Sequence, residues 1–124
     1  MVKTILVVDD DLGVIHTVRY GLEGINADYK VMHVESGEKC LELLKNNFVP
    51  DLILLDVMMP GISGWETHKK IKENLSWKEI PIVFLTARTD RVAKDAGSFF
   101  GEDYIEKPFK LPDLKKRIDK ILYK

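Results

Sequence analysis

Three short stretches of the chain are apolar without interruption: residues 5–8, 52–55 and 82–85. Each has the length of one strand. Unbroken runs of Val, Ile and Leu are what a strand shows when both of its faces are covered, so the three predict central strands of a parallel sheet. Between them, apolar residues recur at helical spacing: Val14, Ile15, Val18, Leu22 and Ile25 predict a first helix, and Cys40, Leu41 and Leu44 a second. Leu114, Ile118, Ile121 and Leu122 form one stripe on the last helix. Residues 29–34 and 103–106 mix polar with apolar side chains, as edge strands do. Start signals agree. Ser36 opens the second helix, Ser63 with Glu66 makes a capping box for the third, and Pro112 sits in the first turn of the fifth. A fourth helix is expected at residues 91–96, the weakest periodic segment, where Ala93 and Ala96 offer little apolar area and Gly97 follows.

Five strands alternating with five helices in this length have one economical arrangement, a doubly wound α/β domain: a five-stranded parallel sheet with helices on both faces and right-handed crossovers. The 124 residues, 45% hydrophobic and 31% charged, suit a single domain that buries a core without staples. Cys40 is the one cysteine, which excludes an intrachain disulfide and a Cys-rich zinc site and fits a reducing, cytoplasmic setting. Nineteen Lys and Arg against 20 Asp and Glu give no electrostatic footprint for duplex binding. The apolar run in the first eleven residues is too short for a membrane span and lacks a signal cleavage site, so neither nucleic acid nor membrane is expected as a partner. Repeats and linker-like stretches are absent, so residues 1–124 are expected to be one domain without an output domain.

The polar residues that interrupt this pattern collect in one kind of place. Asp9 and Asp10 close the first strand, Asp56 the third, Thr86 the fourth and Lys107 the fifth. In an open parallel sheet these carboxyl ends share one edge, where ligands bind at the point of strand-order reversal. If the first and third strands are neighbours, Asp10 and Asp56 lie about one strand spacing apart. Two full charges about 5 Å apart at an effective dielectric near 20 repel by about 3 kcal/mol, and Asp9 adds a third. One lysine does not cancel three carboxylates. A hard divalent cation does, and Mg2+ favours carboxylate sites whose shell a phosphoryl group completes. With the acids screened, Asp56 can act as a nucleophile toward phosphorus, while Thr86 and Lys107 bind phosphoryl oxygens.

At these residues the chain resembles a known family. Asp9-Asp10, Asp56 followed by Val-Met-Met-Pro-Gly, Thr86-Ala87 and Lys107-Pro108-Phe109 look like the signature of the receiver domain of two-component response regulators, across essentially the whole chain. The resemblance implies a flavodoxin-like strand order 2-1-3-4-5, with Asp56 as the phosphoacceptor. It implies Mg2+ held by Asp9, Asp10, Asp56 and the backbone carbonyl of Met58, Lys107 as the ammonium paired with phosphate, and a cis Lys107-Pro108 bond. It further implies a switch in which the Thr86 hydroxyl moves toward the phosphoryl group and Tyr104 turns into the vacated space, changing the surface of the fourth helix, fifth strand and fifth helix. The implied partners are a sensor histidine kinase or phosphotransfer protein, a downstream effector bound in trans and, on phosphorylation, a second copy of the chain. One stretch departs from the family pattern: Phe99-Phe100-Gly101-Glu102-Asp103-Tyr104 stands where Gly-Ala-Asp-Asp-Tyr is usual.

Rival readings share these residues. A Mg2+-dependent phosphohydrolase working through an aspartyl phosphate uses the same acids, but Met58 stands where its second aspartate is usual, leaving no obvious general acid. A flavodoxin-like cofactor carrier shares the architecture, yet three acids at the mouth repel a flavin phosphate and no phosphate-binding loop follows the first strand. A receiver that signals without phosphorylation remains a further alternative. Elsewhere the bland reading is the better one. His16, His33 and His68 have no common ligand spacing and read as surface or partly packed residues. Cys40 reads as core, Trp65 and Trp77 as packing, Asp11 as a helix cap, and Lys115-Lys116-Arg117 as a solvated helix face.

Overall fold

Alternate residues of the three apolar runs go to opposite faces of one sheet, which is why each run is apolar throughout. The computed structural model describes residues 2–24, 28–87 and 103–123. Within them the elements are β1 (Lys3–Val8), α1 (Leu12–Glu23), β2 (Tyr29–Val34), α2 (Gly37–Lys45), β3 (Leu52–Asp56), α3 (Gly64–Lys72), β4 (Ile82–Ala87), β5 (Asp103–Lys107) and α4 (Leu111–Leu122). The helix expected at residues 91–96 lies outside the described residues, as do Ile25 and most of the departing stretch at 99–104. The expected fifth helix is therefore α4 here.

The five strands pair in parallel in the order β2-β1-β3-β4-β5. Chain order reverses beside β1: the chain passes from β1 out to β2, then back across to β3. Ile5, Val7, Leu52, Leu54, Val83, Leu85 and Ile105 face one side, where Ile15, Val18 and Leu22 of α1 and Leu114 and Ile118 of α4 cover them. Leu6, Val8, Ile53, Leu55, Ile82 and Phe84 face the other, against Cys40 and Leu44 of α2 and Ile71 of α3. Two separate cores thus press on one sheet, so each central strand is held from both sides and its carboxyl end is a fixed point.

The helix starts follow the sequence signals. Asp11, Ser36 and Ser63 each accept a hydrogen bond from an amide in the first turn they cap, those of Gly13, Lys39 and Glu66. Pro112 occupies the first turn of α4. Both tryptophans pack against the α2/α3 core, Trp65 with its ring centroid 4.4 Å from that of Phe84. Cys40 is fully buried there, and burial pushes its thiol up to about 12, which leaves it inert as a nucleophile.

The outer edge of β2 is closed from α1. Val34 accepts from the amide of Asp9, so Val31, of opposite parity, turns its amide and carbonyl away from β1. Glu23 accepts from the Val31 amide at 2.7 Å, and Arg19, one helical turn earlier, donates to the Val31 carbonyl at 3.3 Å. Side chains therefore take the place of a sixth strand, a common way of guarding an edge. Replacing Glu23 with Ala leaves a half-buried amide without its partner and lowers the unfolding free energy in urea by about 1 kcal/mol. Glu23→Gln, which keeps an acceptor, loses clearly less; equal losses would show that the Val31 contact is not what matters.

Candidate functional site

Strand parity carries straight into the site. Asp9 follows Val7, Asp56 follows Leu54 and Lys107 follows Ile105, each two residues on, so all three side chains emerge on the α1/α4 side at the carboxyl edge. The result is a tight cluster of charge. One carboxylate oxygen from each of Asp9, Asp10 and Asp56 lies within 4.8 Å of the other two. The Lys107 ammonium is 2.8 Å from Asp9 Oδ2 and 3.5 Å from Asp56 Oδ1. Asp9 is completely buried and Asp56 nearly so, whereas Asp10 is exposed. The five residues singled out by sequence are thus brought to one edge, and the Lys107-Pro108 bond is cis.

Each acid has a distinct local setting. Asp9 is satisfied on both oxygens: Oδ1 accepts from the Asp11 amide at 2.9 Å and Oδ2 from Lys107. Asp56 is less well served, with its Oδ1 accepting from the Met58 amide at a long 3.3 Å. Burial, and next the charge of Asp9, push the Asp56 carboxyl up to about 6, against the opposing pull of Lys107 and the Met58 amide. For Lys107, burial favours the neutral amine, but the hydrogen bond to Asp9 and the charges of Asp56 and Asp9 together outweigh it, and its pKa is raised. The lysine is a firmly charged counter-ion that leans on Asp9 first. That preference for Asp9 was invisible in the sequence, where Lys107 reads as one counter-charge to three acids and as a phosphate partner.

The donor set suits a hard cation. All the clustered groups are carboxylate oxygens, and an octahedral ion with ligands at about 2.1 Å spans at most about 4.2 Å, close to the width of the cluster. On the other side of the sheet, Thr86 is fully buried, and its hydroxyl has no hydrogen-bond partner among the described residues. A buried hydroxyl in that condition is costly, and an acceptor oxygen arriving at the edge would relieve it. Tyr104 pairs in register with Phe84, two residues before Thr86, and packs half-buried against the α2/α3 core. Thr86 and Tyr104 thus share a sheet face.

Two further features of the site were not legible in the sequence. The start of α3 lies against the acid-bearing strand: the Gly64 amide donates to the Val57 carbonyl at 2.9 Å, and a Cβ on Gly64 would fall 2.3 Å from the Asp56 carbonyl oxygen. Arg117, expected on a solvated face, instead donates to the Tyr104 carbonyl at 2.6 Å and lies 3.6 Å from Asp103 and 3.4 Å from Asp113, tying α4 to β5. The histidines lie on three different elements, and His68 is more deeply buried than expected, its ring 5.3 Å from that of Phe84. Among the described residues, no helix is long and apolar enough to cross a membrane.

Residues 5–119 match the family model for the response regulator receiver domain. The chain is 38% identical over 119 residues to the uncharacterized transcriptional regulatory protein YrkP of Bacillus subtilis, an alignment that covers 95% of this chain and 48% of that protein. It therefore spans about half the length of this relative. The crystal structure of a response regulator from Chloroflexus aurantiacus superposes with a TM-score of 0.91 at 37% identity over the whole of both chains. The manganese-bound form of the response regulator Rcp1 superposes with a TM-score of 0.79 at 29% identity, over 96% of this chain and 91% of that one.

The raised Asp56 pKa has a consequence for stability. Because the folded value, about 6, lies above that of an unfolded aspartate, the fold favours the neutral acid. That contribution is complete below about pH 4 and is lost as pH rises through about 6. In metal-free protein, Asp56→Asn should therefore exceed the wild type in unfolding free energy by about 3 kcal/mol above pH 7, the gap closing toward pH 4. Urea titrations across that range check it, and a gap that does not change with pH contradicts it.

Proposed function

The chain belongs to the response regulator receiver domain family, and on that premise we propose that residues 1–124 act as a phosphorylation-controlled switch with Asp56 as phosphoacceptor. The observation that carries this reading is the setting of Asp56. It is a buried carboxylate at the end of a central strand, clustered with Asp9 and Asp10 and 3.5 Å from the Lys107 ammonium. One Asp56 oxygen bonds to phosphorus as the bond from phosphorus to a donor nitrogen breaks, the imidazole of a sensor-kinase or phosphotransfer histidine leaving with the electron pair. Mg2+, held by Asp9, Asp10, Asp56 and the Met58 carbonyl, would supply charge neutralisation when bound. Lys107 turns its ammonium from the free carboxylates to a phosphoryl oxygen, and the Thr86 hydroxyl donates to another. The chain promotes its own phosphorylation in this way, and its reversal when water attacks phosphorus and releases phosphate.

The same contacts bias two states. A phosphoryl group that binds Thr86 and Lys107 better in one arrangement shifts the population toward it. Thr86 moves to the edge, and Tyr104, on the same sheet face, turns into the space it leaves. The altered surface comprises β5, α4 and the segment at residues 91–96, and it recruits an effector in trans or a second phosphorylated copy in the cytoplasm. Neither the hydrolase nor the flavin-carrier reading gains support, since Met58 offers no general acid and the acid cluster repels a flavin phosphate.

Intact mass after incubation with a small phosphodonor and Mg2+ tests this. The wild type gains one phosphoryl group, a chelator prevents it, and Asp56→Ala shows none. Equal uptake by Asp56→Ala, or no uptake by the wild type even from its cognate kinase, removes Asp56 from the role.

A further inference from the structure

The loop between β3 and α3, residues 57–63, brings Met58 next to the acid cluster, so whatever fixes this loop also fixes its backbone carbonyls. At its near end, Val57 accepts from the Gly64 amide at 2.9 Å, and the Met58 amide donates to Asp56. At its far end, the support comes from another part of the fold. Glu38, in the first turn of α2, reaches across and accepts from the Ile62 amide at 3.2 Å. Gly61 makes room for it: its φ is +81°, and a Cβ there would lie 2.5 Å from Glu38 Oε2. The neighbouring Gly37 seats α2 on the same turn, since a Cβ there would come within 2.1 Å of Thr67 Oγ1 and 2.8 Å of Ile62 Cγ1. Thr67 in turn donates to the Ser63 carbonyl at 2.8 Å, closing the start of α3. Glu38 is not one of the clustered acids.

We propose that Glu38 is a positioning residue for the cation site, clamping the Gly61–Ile62 turn so that the loop presents the Met58 carbonyl in a fixed place. The inference rests on the reading of Asp9, Asp10, Asp56 and Met58 as Mg2+ ligands. Holding a ligand-bearing loop from outside the ligand shell lowers the reorganisation that binding requires, as partners behind metal ligands do elsewhere. The role belongs to the acceptor oxygen and not to the charge, so an amide in its place should serve.

Calorimetric Mg2+ titration of the full chain, with hydrogen exchange at the Ile62 amide in metal-free protein, tests the proposal. Glu38→Ala weakens Mg2+ binding about fivefold, the worth of one ordinary hydrogen bond, and speeds Ile62 exchange. Glu38→Gln stays close to wild type in both. Gly61→Ala, which drives the carboxylate off the turn, reproduces the Ala phenotype, and combining it with Glu38→Ala adds little. Asp10→Asn serves as the reference for the site itself. If Asp10→Asn loses Mg2+ while Glu38→Ala binds like wild type, the clamp is wrong and the site stands. If Glu38→Gln is as weak as Glu38→Ala, the effect is electrostatic and the clamp is wrong. If Asp10→Asn binds like wild type, the site reading falls and takes the clamp with it.

Discussion

Everything at the carboxyl edge depends on one imbalance: Asp9 and Asp56 are buried side by side with Asp10 at the rim, and among the described residues the one ammonium that faces them is that of Lys107. Buried charge of one sign is expensive unless paired, and the lysine is already committed to Asp9 at 2.8 Å. For Asp56, burial and next the charge of Asp9 outweigh the pull of that ammonium, and its carboxyl is pushed up to about 6. An edge with surplus negative charge and hard oxygen donors is a place for a cation. On the proposed reading, a cation that screens it prepares the site for an incoming phosphoryl group.

The fold can bear this cost because the cores beneath it are so regular. Two apolar layers press the central strands from both sides, and the parity that sends Leu54 and Ile105 to the α1/α4 core carries Asp56 and Lys107 onto the same side at the edge. Opposite parity puts Thr86 and Tyr104 on the other face, with Phe84 beside Tyr104 in register and Trp65 packed on its ring. β4 and β5 thus meet on that face through packed side chains. Arg117 ties α4 to β5 by donating to the Tyr104 carbonyl.

Much of this was legible in residue order. The unbroken apolar runs have the length and composition of strands covered on both faces, and the polar residues ending them mark the edge at once. Caps at Asp11, Ser36 and Ser63 appear as ordinary local chemistry and form as such. The contacts that were not legible join different parts of the fold through long, flexible side chains. Periodicity cannot say that Glu38 reaches Ile62, that Lys107 leans on Asp9 before Asp56, or that Arg117 turns from solvent to a strand carbonyl. Glu23 and Arg19 guarding β2 belong to the same class. Each depends on how helices lie over the sheet, which an apolar stripe determines only to within a turn.

The central claim is that Asp56 is an acid held against its charge until a cation arrives. The direct measurement is a pH titration of its side-chain carboxyl carbon by NMR, without and with saturating Mg2+. The account predicts a midpoint near 6 in the metal-free chain and a fall to below the ordinary value of about 4 when Mg2+ is bound. A midpoint near 4 that Mg2+ leaves unmoved would contradict it.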